Sequence, residues 1–163
     1  MSQDFYLGNP NLKKVGTEIQ FTKDQIQEYL RCKEDPVYFA MTYIKIISLD
    51  EGIVPFKMWD FQQQLIESFH EHRFNIAKLP RQTGKSTTCV SYLLHYILFN
   101  DNVNVGILAN KLSTARDLLG RLQLAYEQLP MWLQQGIVVY NKGSMELENG
   151  SKILAASTSA SAV

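Results

Sequence analysis

Cysteine is scarce: Cys32 and Cys89 are the only two in 163 residues. They lie far apart and show no C-x-x-C spacing, so neither a zinc site nor a disulfide framework is indicated, and a reduced, intracellular setting fits. Excess charge is also lacking. Sixteen basic and sixteen acidic side chains give a formal net charge of zero, which excludes the domain-wide basic footprint that dominates nucleic-acid affinity. A local basic patch is still available at Lys111, Arg116 and Arg121, although a solvated helix face explains those residues equally well. Long apolar runs are missing. The first twenty residues are polar and contain no apolar core segment of a signal peptide. The longest apolar stretch, Cys89 to Phe99, is interrupted by Ser91 and His95 and is too short to span a bilayer. The chain therefore reads as soluble. Histidine is rare too: His70 and His72 do not share a helical face, and His95 sits in an amphipathic stretch, which argues against a metal centre. What remains, 45% hydrophobic and 20% charged, suits one ordinary globular domain.

Local patterns supply the elements. Residues Met1 to Phe21 are polar, carry Gly8, Pro10 and Gly16, and predict a loose arm. Thr22 can cap a helix reaching about Cys32, with Gln25 at the capping-box position. Asp35-Pro36 predicts a second start, the acid capping and proline fitting the first turn. Apolar runs at Ile46–Leu49 and Ile53–Phe56, around Asp50-Glu51-Gly52, predict a hairpin. Helical spacing then recurs from about Asp60 to His70, from Ser86 to Phe99 and from about Ser113 to Leu129, where Pro130 stops it. Phe74–Leu79 and Val103–Ala109 suit buried strands. The tail alternates through Ile137–Tyr140, Met145–Glu148 and Lys152–Ala156, with Asn149-Gly150 as a strong hairpin cue.

The chemistry concentrates in Leu79-Pro80-Arg81-Gln82-Thr83-Gly84-Lys85-Ser86. The pattern G-x-x-x-x-G-K-[ST] cradles phosphate, and here Leu79 occupies the first glycine slot. Gly84 lets backbone approach phosphate oxygens, Lys85 is a compact cation for the β and γ phosphates, and Ser86 offers a hydroxyl to Mg²⁺. Thr87 follows at the head of the predicted helix. A G-K-S triplet alone is weak, but a strand before it and a helix after it place it where helix N–H groups attract phosphate. With Val103–Ala109 this predicts a β-α-β unit. Upstream, Trp59-Asp60-Phe61-Gln62 offers a second element. The Gln62 amide can pair with N6 and N7 of adenine, and an aromatic can stack on the base. The competing reading is a plain helix start with Phe61 in the core.

Hydrolysis also needs a Mg²⁺-holding carboxylate and a residue that positions water. Asp50-Glu51 follows an apolar run but precedes the loop, in an expected hairpin turn, and is rejected. Glu146 and Glu148 alternate onto one strand face, expected to be the wet one. After Ser86 nothing else offers an apolar strand ending in an acid pair, so the catalytic acid is expected to be missing from this chain.

Taken together, these residues resemble the large terminase subunit of tailed bacteriophages, closest to the T-even-like group. The likeness runs from about Glu34 onward. It rests on Asp35-Pro36-Val37-Tyr38-Phe39-Ala40, Asp60-Phe61-Gln62, Arg81-Gln82-Thr83-Gly84-Lys85-Ser86 and Val105-Gly106-Ile107-Leu108-Ala109-Asn110-Lys111. Leu129-Pro130 and Asn141-Lys142-Gly143-Ser144 to Asn149-Gly150-Ser151 extend it. The R-Q-x-G-K-[ST] loop is characteristic of that family and accounts for the absent first glycine. The resemblance implies an α/β P-loop NTPase fold of the RecA/helicase-like kind. That fold is a three-layer sandwich with a mainly parallel sheet, here incomplete at the C-terminus and preceded by a helical segment and hairpin. Residues 1–33 would form an arm and short helix, and 34–163 a partial ATPase domain, with the Walker B strand beginning shortly after residue 163. It further implies ATP and Mg²⁺ as ligands. Arg81 would stabilise transition-state charge, Lys85 would hold phosphate and Ser86 the metal. Pro80, Gln82, Thr83, Gly84 and Thr87 would complete the cradle, and Phe61 and Gln62 would meet adenine. Trp59 stands where relatives tend to have arginine. The complete enzyme would push double-stranded DNA into a procapsid, in the host cytoplasm, with portal protein and small terminase subunit as partners. Two other expectations stand beside it: a non-hydrolysing nucleotide-binding or interaction fragment, truncated or completed in trans, and a superfamily 2 helicase fragment, whose loop normally lacks Arg-Gln.

Overall fold

The computed structural model describes residues 4–48 and 50–158. Helix α1 (Lys23–Glu34) begins at the expected box: Thr22 Oγ1 accepts from the Gln25 amide at 3.2 Å and Gln25 Oε1 accepts from Thr22 N–H at 3.0 Å. Helix α2 (Pro36–Tyr43) begins where Asp35 Oδ1 accepts from Tyr38 N–H at 2.8 Å, with Pro36 in the first turn. Strands β1 (Lys45–Ser48) and β2 (Gly52–Pro55) form a separate antiparallel hairpin. Leu49, assigned above to this hairpin, lies outside the described residues. Helices α3 (Asp60–Glu71) and α4 (Lys85–Phe99) follow, then strand β3 (Asn104–Ala109) and helix α5 (Leu112–Glu127). Strands β4 (Ile137–Tyr140), β5 (Ser144–Leu147) and β6 (Lys152–Ser157) close the described chain.

The fold is α/β, built on a four-stranded sheet in the order β3-β6-β5-β4. Among the described strands β3 and β6 run parallel, from Asn104 opposite Lys152 to Ala109 opposite Ser157; β6–β5 and β5–β4 are antiparallel. Tight turns joining β4, β5 and β6 leave no length for a crossover, so those neighbours must reverse direction. Helix α5 lies against β3 and β6, burying Ala115, Leu119, Leu122, Ala125 and Tyr126 with Ile107 and Ile153. By strand alternation Leu108 and Leu154 belong to the opposite face, and both stay exposed, at 64% and 47%. The sheet described is thus mixed and covered on one face, not the mainly parallel three-layer sandwich expected. Helix α4 packs on α2, α3 and α5, and its Leu94, Ile97 and Leu98 are nearly inaccessible.

Further expectations are corrected. Phe74–Leu79 forms no strand: among the described residues nothing pairs with it, Phe74 is 83% exposed and Ile76 100% exposed. A strand needs a neighbour for its backbone groups, and β3 pairs with β6 instead, so the predicted β-α-β unit does not form around the loop. Because Phe74 and Ile76 touch no core, Phe74→Ser with Ile76→Thr should leave stability within about 0.5 kcal/mol. The same pair should reduce aggregation, since exposed apolar segments seed association. Urea denaturation and light scattering check both; a stability loss of several kcal/mol would show that the segment is packed in solution.

The arm is not loose. After a 3₁₀ turn at Tyr6–Gly8, Leu12 is buried to 3% exposure, and Lys13 C=O accepts from Ile137 N–H at 2.8 Å. The Gln134 amide brackets the arm, accepting from Lys13 N–H and donating to Asn11 C=O, each at 3.0 Å. Glu148, expected on a wet strand face, sits just past β5 and accepts from Gly136 N–H at 2.6 Å, Gly16 N–H at 3.1 Å and Lys13 Nζ at 3.2 Å. Burial alone raises its pKa, but these donors outweigh that effect and hold the carboxyl below its ordinary value. Among the described residues no helix is long and apolar enough to cross a membrane.

Candidate nucleotide site

The loop Leu79–Gly84 leads directly into α4. Two of its residues are left-handed, Gln82 at φ 63° and Gly84 at φ 75°. For Gly84 that geometry carries no side-chain penalty; for Gln82 it stores about 1 kcal/mol. Gly84 is the N-cap of α4, and no side chain caps that end. The first-turn N–H groups therefore point out of the helix with the positive end of its dipole, an arrangement that favours an anion.

Lys85 is half-buried and turned back on the loop: Nζ donates to Leu79 C=O at 3.2 Å and to Pro80 C=O. An ammonium carries three donors, so one remains for an incoming oxygen. Thr83 Oγ1 also donates to Pro80 C=O, at 3.1 Å, tightening the loop. Ser86 and Thr87 are half-buried in the first helical turn, and among the described residues the Ser86 hydroxyl has no hydrogen-bond partner. Arg81 is exposed and forms no ion pair among the described residues. One turn on, burial raises the Cys89 thiol pKa despite the opposing Lys85 charge, so it is a poor nucleophile.

Gln62 reaches the same loop from α3. Its Nε2 donates to Thr83 C=O at 3.1 Å while its Oε1 accepts from Trp59 N–H at 2.9 Å, and it is only 4% exposed. Phe61 and Trp59, at 38% and 72%, are exposed beside it. The fold thus brings Gln62 and the loop together across a separation of 21 residues. Nothing in the local sequence signalled that this amide would meet the Thr83 carbonyl.

A cavity of about 390 Å³ opens beside the first turns of α4, lined by Ile46, Thr87, Val90, Ser91 and Arg121 among others. Lys111 and Arg116, grouped with Arg121 above, are exposed near the start of α5 and do not line it. The C-terminal ends of the two parallel strands, β3 and β6, continue into Asn110 and Thr158 and carry no acid pair. No family model matches the chain.

Proposed function

We propose that this chain is a nucleotide-binding segment of P-loop type, the N-terminal ATPase part of a phage DNA-packaging motor of the large terminase kind. The observation that carries the reading is the loop itself. A left-handed Gly84, an uncapped helix start and a Lys85 ammonium converge on one spot. Backbone N–H groups and Lys85 would hold the phosphates of ATP, with Pro80, Gln82 and Thr83 shaping the cradle. The free Ser86 hydroxyl beside Thr87 would take Mg²⁺, which accepts hard oxygen ligands and retains waters. The exposed Arg81 guanidinium would meet charge on the outer phosphate. Phe61, exposed beside the loop-bonded Gln62, would meet the base. In the complete motor the nucleotide would drive movement of double-stranded DNA through a portal at the procapsid, with a small terminase subunit as a further partner.

The non-hydrolysing alternative is favoured by a specific observation. Neither parallel strand ends in a carboxylate, and a P-loop ATPase needs one there to hold the metal. The chain by itself is therefore expected to bind Mg·ATP without turning it over. Lys85→Ala should weaken binding by about tenfold to a hundredfold, the equivalent of losing charge-assisted hydrogen bonds. Calorimetric titration of the full chain, paired with a phosphate-release assay, checks both statements. No wild-type binding would overturn the nucleotide reading, and turnover abolished by Lys85→Ala would overturn the non-hydrolysing one.

A further inference from the structure

We infer that Gln62 is a positioning residue for the phosphate end of the site, not a reader of the base; this rests on the loop binding a nucleotide. To recognise adenine, a glutamine must present its oxygen to N6–H and its N–H to N7. Both groups of Gln62 are already engaged. The oxygen faces the Trp59 N–H at 2.9 Å and the nitrogen faces the Thr83 carbonyl at 3.1 Å. The amide cannot be reversed, because that would set two donors and two acceptors against each other. Only 4% of the residue is exposed, which leaves little access for a base.

Those partners define a brace. Trp59 is the residue at which α3 begins, and Thr83 is the residue before the left-handed Gly84. One buried amide therefore fixes the start of α3 and the crest of the phosphate loop relative to each other. The fit is close: a Cβ on Gly84 would lie 2.5 Å from Gln62 Nε2. Glycine at 84 suits the loop's own φ, and a Cβ added there would make the amide lying across it shift. The bond to Gln62 also engages the Thr83 carbonyl, an acceptor that would repel phosphate if left free at the loop. Gln62 thus acts on whatever carries the phosphates, whichever base is attached.

The test compares ligands that share phosphates and differ in base. Mg·ATP, Mg·GTP and inorganic tripolyphosphate are titrated into the full chain and into Gln62→Ala and Gln62→Glu, well below each variant's unfolding temperature. Gln62→Glu keeps an acceptor for the Trp59 N–H, so the start of α3 survives, but removes the donor to Thr83. The expected result is a loss of roughly tenfold in Gln62→Ala, the worth of about one hydrogen bond, and a larger loss in Gln62→Glu, whose carboxylate also repels phosphate, by one factor across all three ligands within each variant. Weakened ATP binding with unchanged tripolyphosphate and GTP binding would overturn the inference in favour of base reading. Unchanged affinity for all three in Gln62→Glu would overturn it as well, leaving Gln62 a role in stability alone. Failure of the wild-type chain to bind any of the three would instead sink the nucleotide site itself.

Discussion

Gly84→Ala is expected to destabilise the chain by about 3 kcal/mol and to weaken phosphate binding in parallel. Two independent costs meet at this position. An alanine held at φ 75° carries a left-handed penalty of about 1–2 kcal/mol. Its methyl group would sit 2.5 Å from Gln62 Nε2, so the amide must withdraw. Withdrawal breaks its bonds to Thr83 and Trp59, each worth about 1 kcal/mol. Separating these costs is straightforward with a double-mutant cycle. In a Gln62→Ala background the clash has no partner, and Gly84→Ala should cost only the backbone penalty. Urea denaturation of the four proteins measures the coupling, expected near 1–2 kcal/mol. Additive effects would mean that the amide and the loop are not in contact in solution.

Which parts of this arrangement were legible in the sequence follows from how far each interaction reaches. Thr22 with Gln25, and Asp35 with Pro36 and Tyr38, are settled within a few residues; caps of this kind are local chemistry and their signals survive in the chain. The Asn149-Gly150 turn is similar, with Asn149 Oδ1 accepting from Ser151 N–H at 3.0 Å. So is the placement of Gly84 and Lys85 at a helix start. Phe74–Leu79 has the right composition for a strand, but pairing is a property of two segments, and its partner could not be read from its own residues. The arm follows the same rule. Its polar residues suggest solvent, yet Lys13 and Gly16 meet Glu148 across 135 and 132 positions. At the candidate site the loop was legible and the engagement of Gln62 was not, because only folding sets the Thr83 carbonyl against that amide.

Acidification from pH 6.5 to 4 is expected to remove roughly 3 kcal/mol of stability, with His95 as the main cause. The imidazole lies among Phe39, Tyr92 and Phe99, with ring centroids at 5.5, 6.3 and 4.8 Å. Its Nε2 faces the Cys32 carbonyl at 2.9 Å and so must carry the proton, while the buried Nδ1 has no partner among the described residues. Charging the ring would add a donor at Nδ1 with nothing to accept it. Burial accordingly lowers the pKa to about 4 from its ordinary 6.5, helped by the neighbouring His70, and the backbone hydrogen bonds to Cys32 and Lys33 with the Asp35 charge only partly offset this. The direction of the effect follows. Between those two values the unfolded chain binds a proton that the folded chain refuses, so stability is complete above pH 6.5 and falls as pH drops toward 4. Glu148 adds a later loss in the same direction, because its lowered pKa favours the folded state only while the carboxylate is ionised. Protonation there loosens the arm by weakening the contacts to Gly16, Gly136 and Lys13. The two steps separate by mutation. His95→Gln retains a donor for the Cys32 carbonyl but cannot titrate, and should flatten the stability profile between pH 6.5 and 4.5 while leaving the steeper fall below it. Denaturant midpoints across this range decide the matter: a wild-type profile already flat from 6.5 to 4.5 would mean that His95 is open to water.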